Sequence, residues 1–312
     1  MRWLLALLLL LLGCDRFDGE GVLVAPPCAE QSVEKLVPAK ESSDAWIGGL
    51  VWVDLACPAP GATMSLSGPA GAVAGSTFIA HGGRQIRFEP ATWLDPEANY
   101  LARLDTTDGY REWDFRTSAL GAPVSADLAE RALALHPAQG SVLDPPGFLE
   151  DLQPALQAGL HPVIQFLDVP IEGAVNVRLG GRLDARTTAE QDLADRTWDL
   201  QAAWTNPVWA VGPIDVSWEL FDFTLVLEDA VFEGAVAADA GSGGGGKLEG
   251  HWDTRPADDS LGTGPGTLCE RALTTSGTGC TPCRDGVEAC LPFSLRNVPA
   301  DAWGGLLQVV DP

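Results

Sequence analysis

The alternation of apolar and polar residues at every second position is the feature that most restricts the fold of this chain. Two clear examples each place four apolar residues on one strand face: Trp198, Leu200, Ala202 and Trp204, then Ile214, Val216, Trp218 and Leu220. Because successive side chains of a strand point to opposite sides, this period predicts strands with one buried face. No regular succession of strands and helical segments is visible, so the sequence predicts a mainly β protein.

The phase of this alternation changes at Leu220–Phe221, after which Phe223, Leu225 and Leu227 take the opposite parity. A slip of one residue in a period of two implies a bulge or a sharp bend. Half-buried strands joined by a bend suit a curled sheet. For residues 124–312 we therefore predict a second β-rich domain, a sandwich or a barrel-like fold, with a disulfide-stapled C-terminal segment.

Residues 44–121 contain shorter strand patterns that are separated by Gly and Pro turns. Three motifs stand near their end: Phe88-x-Pro90, Leu94-x-Pro96-x-x-x-Tyr100 and Trp113-x-Phe115-x-Thr117. Together they resemble the closing strands of bacterial Ig-like domains found in surface-layer and other exported proteins. The resemblance implies an Ig-like β-sandwich, with Tyr100 in a tyrosine corner whose hydroxyl bonds back to upstream backbone.

The first fourteen residues carry a targeting signal. Met1-Arg2 is followed by ten unbroken apolar residues, Trp3 to Leu12, and then by Gly13-Cys14. A ten-residue helix spans roughly 15 Å, about half of a bilayer core, so the segment predicts a signal peptide and not a membrane span. Its end resembles the lipobox of bacterial lipoproteins. This resemblance implies signal peptide cleavage after residue 13, acylation of Cys14 and an acylated tether over residues 14–43.

These features predict an extracytoplasmic protein of the cell envelope that is held to the membrane by its lipid anchor. The outer membrane is favoured over the inner membrane, although Asp15 resembles the inner-membrane retention signal of enteric bacteria. The formal net charge is −24, with 19 Lys and Arg against 43 Asp and Glu. Phosphate binding needs clusters of basic residues, so nucleic acid is excluded as a partner.

Six cysteines remain besides Cys14, and an even number in an exported protein predicts three disulfides. Cys28 and Cys57 lie near the N-terminus and are expected to pair with each other. The other four lie close together near the C-terminus: Cys269, Cys280, Cys283 and Cys290. A structural disulfide knot is favoured over a zinc site or a redox Cys-x-x-Cys pair, and its connectivity stays open.

The glycine-rich segment 241–247 spells the first seven positions of a phosphate-binding P-loop. The eighth position, which should be Ser or Thr, is Leu248, and the residues that follow are not typical of a helix. We therefore interpret the segment as a flexible hairpin tip, in which shortening should be tolerated.

No pattern of catalytic residues is present in the sequence. The four histidines have no second ligand at metal-binding spacing, and the acidic turns at Asp105–Asp108 and Asp258-Asp259 lack the ligand count of a calcium loop. These acidic residues are expected to be solvated. The sequence thus predicts no catalytic residue, no metal and no cofactor.

Two tryptophans, Trp204 and Trp209, flank Asn206-Pro207 in a predicted turn. Exposed tryptophans stack on sugars or peptides, so both are candidate ligand-stacking residues, although core packing is the default for most tryptophans of the chain. The predicted function is that of a non-catalytic binding, adhesion or scaffold protein, with an envelope glycan or another envelope protein as partner. The alternative is an exported hydrolase of polysaccharide or peptidoglycan with its active site in the C-terminal domain.

Overall fold

The structure is a computed structural model, and it describes residues 32–145, 161–180, 191, 196–220 and 223–310. Strands dominate it, as the alternation predicts. The strands form two small sheets in the N-terminal half and one large sheet in the C-terminal half. Among the described residues, no helix is both long enough and apolar enough to cross a membrane.

The N-terminal domain is a sandwich of two four-stranded antiparallel sheets, with strand orders β1-β2-β6-β5 and β4-β3-β7-β8. Its strands are β1 (Val33–Val37), β2 (Val51–Leu55), β3 (Thr63–Gly68), β4 (Gly71–Ala72), β5 (Gly75–Ala80), β6 (Gln85–Pro90), β7 (Asn99–Thr106) and β8 (Gly109–Arg116). Apolar side chains at alternate positions of both sheets meet in one core, with Val53, Ile86 and Ala102 fully buried. Such interdigitation is typical of packed sheets.

The sandwich begins earlier than the sequence indicates. Strand β1 pairs with β2 from Val33 to Val37, inside the segment that was expected to be a tether over residues 14–43. The expected boundary at residue 44 is therefore wrong. The apolar residues Val33, Leu36 and Val37 pack on the sandwich, and this small amount of burial fixes a segment that otherwise looks polar.

The predicted tyrosine corner is confirmed. The hydroxyl of Tyr100 on β7 accepts a hydrogen bond from the backbone N–H of Asp95, with a distance of 2.8 Å. Tyr100 is 4% exposed, and burial of its hydroxyl raises the pKa of Tyr100. The bond closes the loop that joins β6 to β7.

The C-terminal domain is a closed antiparallel barrel. Its strands are β9 (Ala132–Leu135), β10 (Ser141–Asp144), β11 (Val163–Phe166), β12 (Gly173–Gly180), β13 (Thr197–Thr205), β14 (Val208–Leu220), β15 (Phe223–Val236), β16 (Ser242–Asp253), β17 (Thr281–Pro282) and β18 (Glu288–Trp303). Eight of them form the wall in the order β9-β11-β12-β13-β14-β15-β16-β18, and β18 pairs again with β9. The prediction of a sandwich or barrel is thereby resolved in favour of the barrel, whereas the bulge or bend expected at Leu220–Phe221 falls partly outside the described residues.

Apolar side chains fill the inside of the barrel among the described residues. Trp209, Trp218 and Trp252 are each at most 1% exposed, and Trp218 packs edge-on against Phe232. An eight-stranded barrel has an interior just wide enough for side chains. The apolar face that the alternation predicts is therefore the inward face of the wall.

Two helices, α1 (Arg255–Leu261) and α2 (Thr267–Ser276), pack against the barrel core through Ala257, Leu268 and Ala272. The carboxylate of Asp258 joins them, because it accepts hydrogen bonds from the backbone N–H groups of Gly266 and Leu268 at 2.9 and 3.1 Å. Asp258 is 0% exposed, so the expectation that it is solvated is wrong. Its burial is tolerated because these donors satisfy the charge.

The cysteine-rich segment forms two disulfides, Cys269–Cys280 and Cys283–Cys290. The first joins α2 to the chain before β17, and the second closes a short loop onto β18. All four sulfur atoms are used, so these cysteines provide no thiolate for a zinc ion and the Cys-x-x-Cys pair is not itself bonded. Cys57 is also disulfide-bonded. Its predicted partner Cys28 lies outside the described residues, as does Cys14.

The glycine-rich segment is a strand and not a flexible hairpin tip. Residues 242–253 form β16, which pairs with β15 and β18, and Gly243, Gly244 and Gly246 are buried. The ring of Trp46 from the sandwich covers this strand, since a Cβ atom added to Gly244 would lie 1.9 Å from Trp46 Cη2. The glycines thus permit close contact between the domains, which periodicity could not reveal.

Candidate functional site

A cleft of about 500 Å³ lies between the sandwich and the outer face of the barrel. Its sandwich wall and linker comprise Ile47, Trp93, Leu94, Asp95, Pro96 and Gly121. Its barrel wall comprises Ala203, Thr205, Asn206, Pro207, Val208, Ala210 and Glu233. Small-molecule sites usually measure about 300–1,000 Å³ and are mostly apolar with a few polar groups, and this cleft fits that description.

The loop between β6 and β7 supplies the sandwich wall and is held at several points. The N–H of Leu94 donates to the carbonyl of Ile47 at 2.8 Å, and the side chain of Leu94 is buried. The carbonyl of Asp95 accepts a bond of 2.6 Å from the hydroxyl of Thr117, while its N–H donates to Tyr100. The tyrosine corner therefore fixes the backbone beside Trp93, and positions Trp93 and Asp95 in the cleft.

The hairpin between β13 and β14 supplies the barrel wall. The outward residues Ala203, Thr205 and Ala210 alternate with the inward Trp204 and Trp209. Because two of the three outward residues are alanines, the barrel surface leaves space for a ligand. The turn itself is anchored, since the Asn206 side chain accepts a 2.7 Å bond from the N–H of Val124 and donates back to its carbonyl at 3.3 Å.

A narrower cleft of about 150 Å³ continues from the first and shares Ile47, Trp93 and Glu233 with it. We call the two clefts together the Trp93 groove. The narrow part also contains Lys247 and Arg296. Both cations bind Glu249, with 2.6 Å from the Lys247 ammonium to the carboxylate and a direct contact from Arg296.

The acidic residues of the wide cleft are not paired in the same way. The carboxylates of Asp95 and Glu233 stand on opposite walls, and neither has a hydrogen-bond or ion-pair partner among the described residues. No Lys, Arg or His is among the described residues that line this cleft. The wide cleft therefore combines one indole ring, two free carboxylates and one hydroxyl, from Thr205.

The domains are also joined by an ion pair outside the groove. Arg87 on β6 contacts Asp144 on β10 at 3.1 Å and donates to His81 Nε2 at 2.9 Å. Desolvation and the nearby Arg87 charge lower the pKa of His81 below its ordinary value of 6.5. Neutral His81 accepts the bond from Arg87, whereas a protonated ring would oppose it.

The structure corrects the expectation for Trp204 and Trp209. Both lie beside the predicted turn, but they point into the barrel and are 5% and 1% exposed. An exposed stacking role for them is therefore wrong. The turn does reach a cleft, where Trp93 provides the aromatic ring.

Two further groups of acidic side chains lie outside the groove, and protein atoms contact both. Glu228 lies with Cys283 and Cys290 in a compact group, but the two sulfur atoms are bonded to each other. In the turn at 105–108, Asp105 binds the guanidinium of Arg103 at 2.8 Å.

Sequence reasoning missed Trp93, although a signal was present. Trp93 immediately precedes the Leu94-x-Pro96-x-x-x-Tyr100 motif. The motif predicts a loop with a fixed backbone, so it also marks Trp93 as a large aromatic residue in a fixed position at the start of that loop. The ring is half-buried, and a Cβ atom added to Gly48 would lie 2.5 Å from its Cζ3 atom. Gly48 thus gives the ring a flat support.

Comparisons with protein-family models and with curated proteins find no match. Among solved structures, the chain is similar to a surface layer protein, SbsC domains 1–6. The match has 8% sequence identity and a TM-score of 0.25, and it covers 90% of this chain and 54% of that chain. It is also similar to a cycloalternan-forming enzyme from Listeria monocytogenes. That match has 9% sequence identity and a TM-score of 0.17, and it covers 70% of this chain and 21% of that chain. The chain thus spans about half the length of the first structure and about a fifth of the second. Similarity this weak supports no conclusion about the fold or the function of this chain.

Proposed function

We propose that this protein is a non-catalytic binding protein of the cell envelope that holds a segment of glycan in the Trp93 groove. One observation carries the proposal: an indole ring, a hydroxyl and two unpaired carboxylates converge on an elongated cleft that both domains build. The extracytoplasmic setting is supported by the two C-terminal disulfides, since such bonds persist in oxidising compartments.

The chemistry of the groove suits sugars. An apolar face of a sugar ring stacks on an indole, and carboxylates accept hydrogen bonds from hydroxyl groups. Rigid positioning lowers the entropic cost of binding, and the fixed loop around Asp95 provides it. The groove therefore requires little rearrangement to take up an extended oligosaccharide.

The test is a calorimetric titration of the purified protein with β-linked N-acetylglucosamine and glucose tetramers. Binding to at least one of them should be lost in Trp93→Ala, because the stacking surface is removed. Phe78→Ala is the matched control, since Phe78 is an aromatic residue outside the groove that is 49% exposed. Equal binding by wild type and Trp93→Ala would contradict the proposal.

A second candidate function is hydrolysis of the glycan, and one observation favours it. Asp95 and Glu233 place two carboxylates on opposite walls of one cleft, and glycoside hydrolysis uses a pair of carboxyl groups that flank the scissile bond. In that case new reducing ends should accumulate from the same tetramers, and Glu233→Gln should abolish them. Stable binding without cleavage supports the non-catalytic function.

The sandwich is proposed to be Ig-like. Its strand orders β1-β2-β6-β5 and β4-β3-β7-β8 match the A-B-E-D and C′-C-F-G arrangement of such domains, with Tyr100 on the F-like strand β7. Domains of this kind space or present binding loops. Here the loop before Tyr100 would present Trp93.

Lipid anchoring through Cys14 also stays a proposal. It rests on the Leu11-Leu12-Gly13-Cys14 sequence after an apolar stretch. Cys14→Ala should prevent both processing after Gly13 and incorporation of labelled palmitate. Equal labelling of wild type and variant would overturn it.

A further inference from the structure

The charged residues that line the wide part of the Trp93 groove are all acidic, whereas the narrow part contains cations as well. Asp95 and Glu233 stand on its two walls without partners among the described residues, and Glu89 lines the narrow part nearby. The two cations of the narrow part, Lys247 and Arg296, are already bound to Glu249. A ligand in the wide part therefore meets free negative charge.

Trp93 adds a second feature with the same preference. An indole ring attracts a cation over its face more strongly than the other aromatic side chains do. Asp95 is exposed and Glu233 is half-buried, so the charge of Glu233 is screened less by water than charge on an open surface. The indole ring and the carboxylates together favour an ammonium group as the ligand. A bound ammonium would also offset the free-energy cost of removing water from Asp95 and Glu233 when the ligand binds.

We infer that the glycan bound in the Trp93 groove carries free amino groups, so that the ligand is an amino sugar in its non-acetylated, cationic form. This inference rests on the proposed glycan-binding function. The ammonium would lie between Asp95 and Glu233 against Trp93, while the sugar ring continues toward the narrow part. Thr205 offers a hydroxyl on the barrel side.

The test compares two tetramers, one of β-linked glucosamine and one of β-linked N-acetylglucosamine. Both are titrated calorimetrically into the full-length protein at about pH 6, below the pKa of an ordinary amine. The glucosamine tetramer should bind about tenfold more tightly. In Asp95→Asn and Glu233→Gln this preference should fall toward equality, and in wild type it should weaken as salt is added.

Asp259→Asn and Glu172→Gln are the matched controls. Both residues are exposed and lie outside the groove. Each control variant therefore removes one negative charge, as Asp95→Asn and Glu233→Gln do, but leaves the groove unchanged. They should retain the tenfold preference. If they lose it as well, long-range charge explains the effect and the inference is overturned.

The possible failures are distinguishable. If the acetylated tetramer binds as tightly as the glucosamine tetramer, and Trp93→Ala abolishes both, glycan binding stands and the amino-sugar inference is overturned. If neither tetramer binds to the wild-type protein, the inference fails, and a glucose tetramer that also fails to bind removes the proposed function with it.

Discussion

The sandwich and the barrel are both antiparallel β-structures, but they treat their surfaces differently. The sandwich leaves open strand edges and uses a loop, held by Tyr100 and Thr117, to present Trp93. The barrel closes its sheet on itself and turns four tryptophans inward, Trp204, Trp209, Trp218 and Trp252. The comparison indicates a division of roles, in which the sandwich contributes the recognition loop and the barrel contributes a rigid wall of small outward residues.

This difference also explains how the domains join. The barrel presents Gly244 as a flat place on its wall, and the sandwich places Trp46 on it. Two tryptophans of the sandwich, Trp46 and Trp93, thus make contacts at its surface, with the partner domain and in the groove, although the sandwich core contains buried aromatic residues as well. In the barrel, Trp204, Trp209, Trp218 and Trp252 lie in the interior.

The largest expected effect distinguishes an interior from a groove tryptophan. Trp218→Ala should lower the free energy of unfolding by about 3–5 kcal/mol, because it leaves a cavity in a packed core. Trp93→Ala should cost about 1–2 kcal/mol, because its ring is half-buried. Urea unfolding of both variants measures these values. Equal losses would remove the distinction between the two regions.

An intermediate effect is expected at the domain contact. Gly244→Ala should destabilise the protein by about 1–3 kcal/mol, because the new methyl group overlaps the ring of Trp46. Gly304→Ala is the control, since an added Cβ there meets no atom within 4 Å. Thermal unfolding that is the same for both variants would mean that Trp46 does not pack on β16.

The smallest effect concerns pH at the Arg87–Asp144 contact. The pKa of His81 is lowered in the folded state, so the unfolded chain binds a proton more readily. Stability from this group is present above about pH 6.5 and is lost as the pH falls below it. Urea midpoints from about pH 7.5 to about pH 5.5 should decline less in His81→Gln than in wild type. Parallel declines would exclude His81 as the cause.

Local patterns predicted the sandwich better than the barrel. The corner at Tyr100 could be predicted because its partner, Asp95, is five residues away. Closure of the barrel depends on pairing between β9 and β18, which are far apart in the chain, and alternation does not specify which edges meet. The same limit applies to Gly244, because composition gives no sign of the ring of Trp46 that covers it.

The site was predicted only in part for a related reason. The turn at Asn206-Pro207 does reach the groove. The alternation places Trp204 on the apolar face with Ala202, which the barrel buries, and the expectation of exposure comes only from the neighbouring turn. Trp93 lies in a loop without periodicity. Its place in a groove results from the packing of two domains.

The central claim is that ligands bind at Trp93 between the domains and not inside the barrel. The most direct measurement follows the indole N–H signals in ¹H–¹⁵N NMR spectra during a titration with the glucosamine and N-acetylglucosamine tetramers, with Trp93→Phe used for assignment. We expect the Trp93 signal to shift with ligand concentration while those of Trp209 and Trp218 do not. A shift confined to the interior tryptophans, or no shift at Trp93 at saturating ligand, would contradict it.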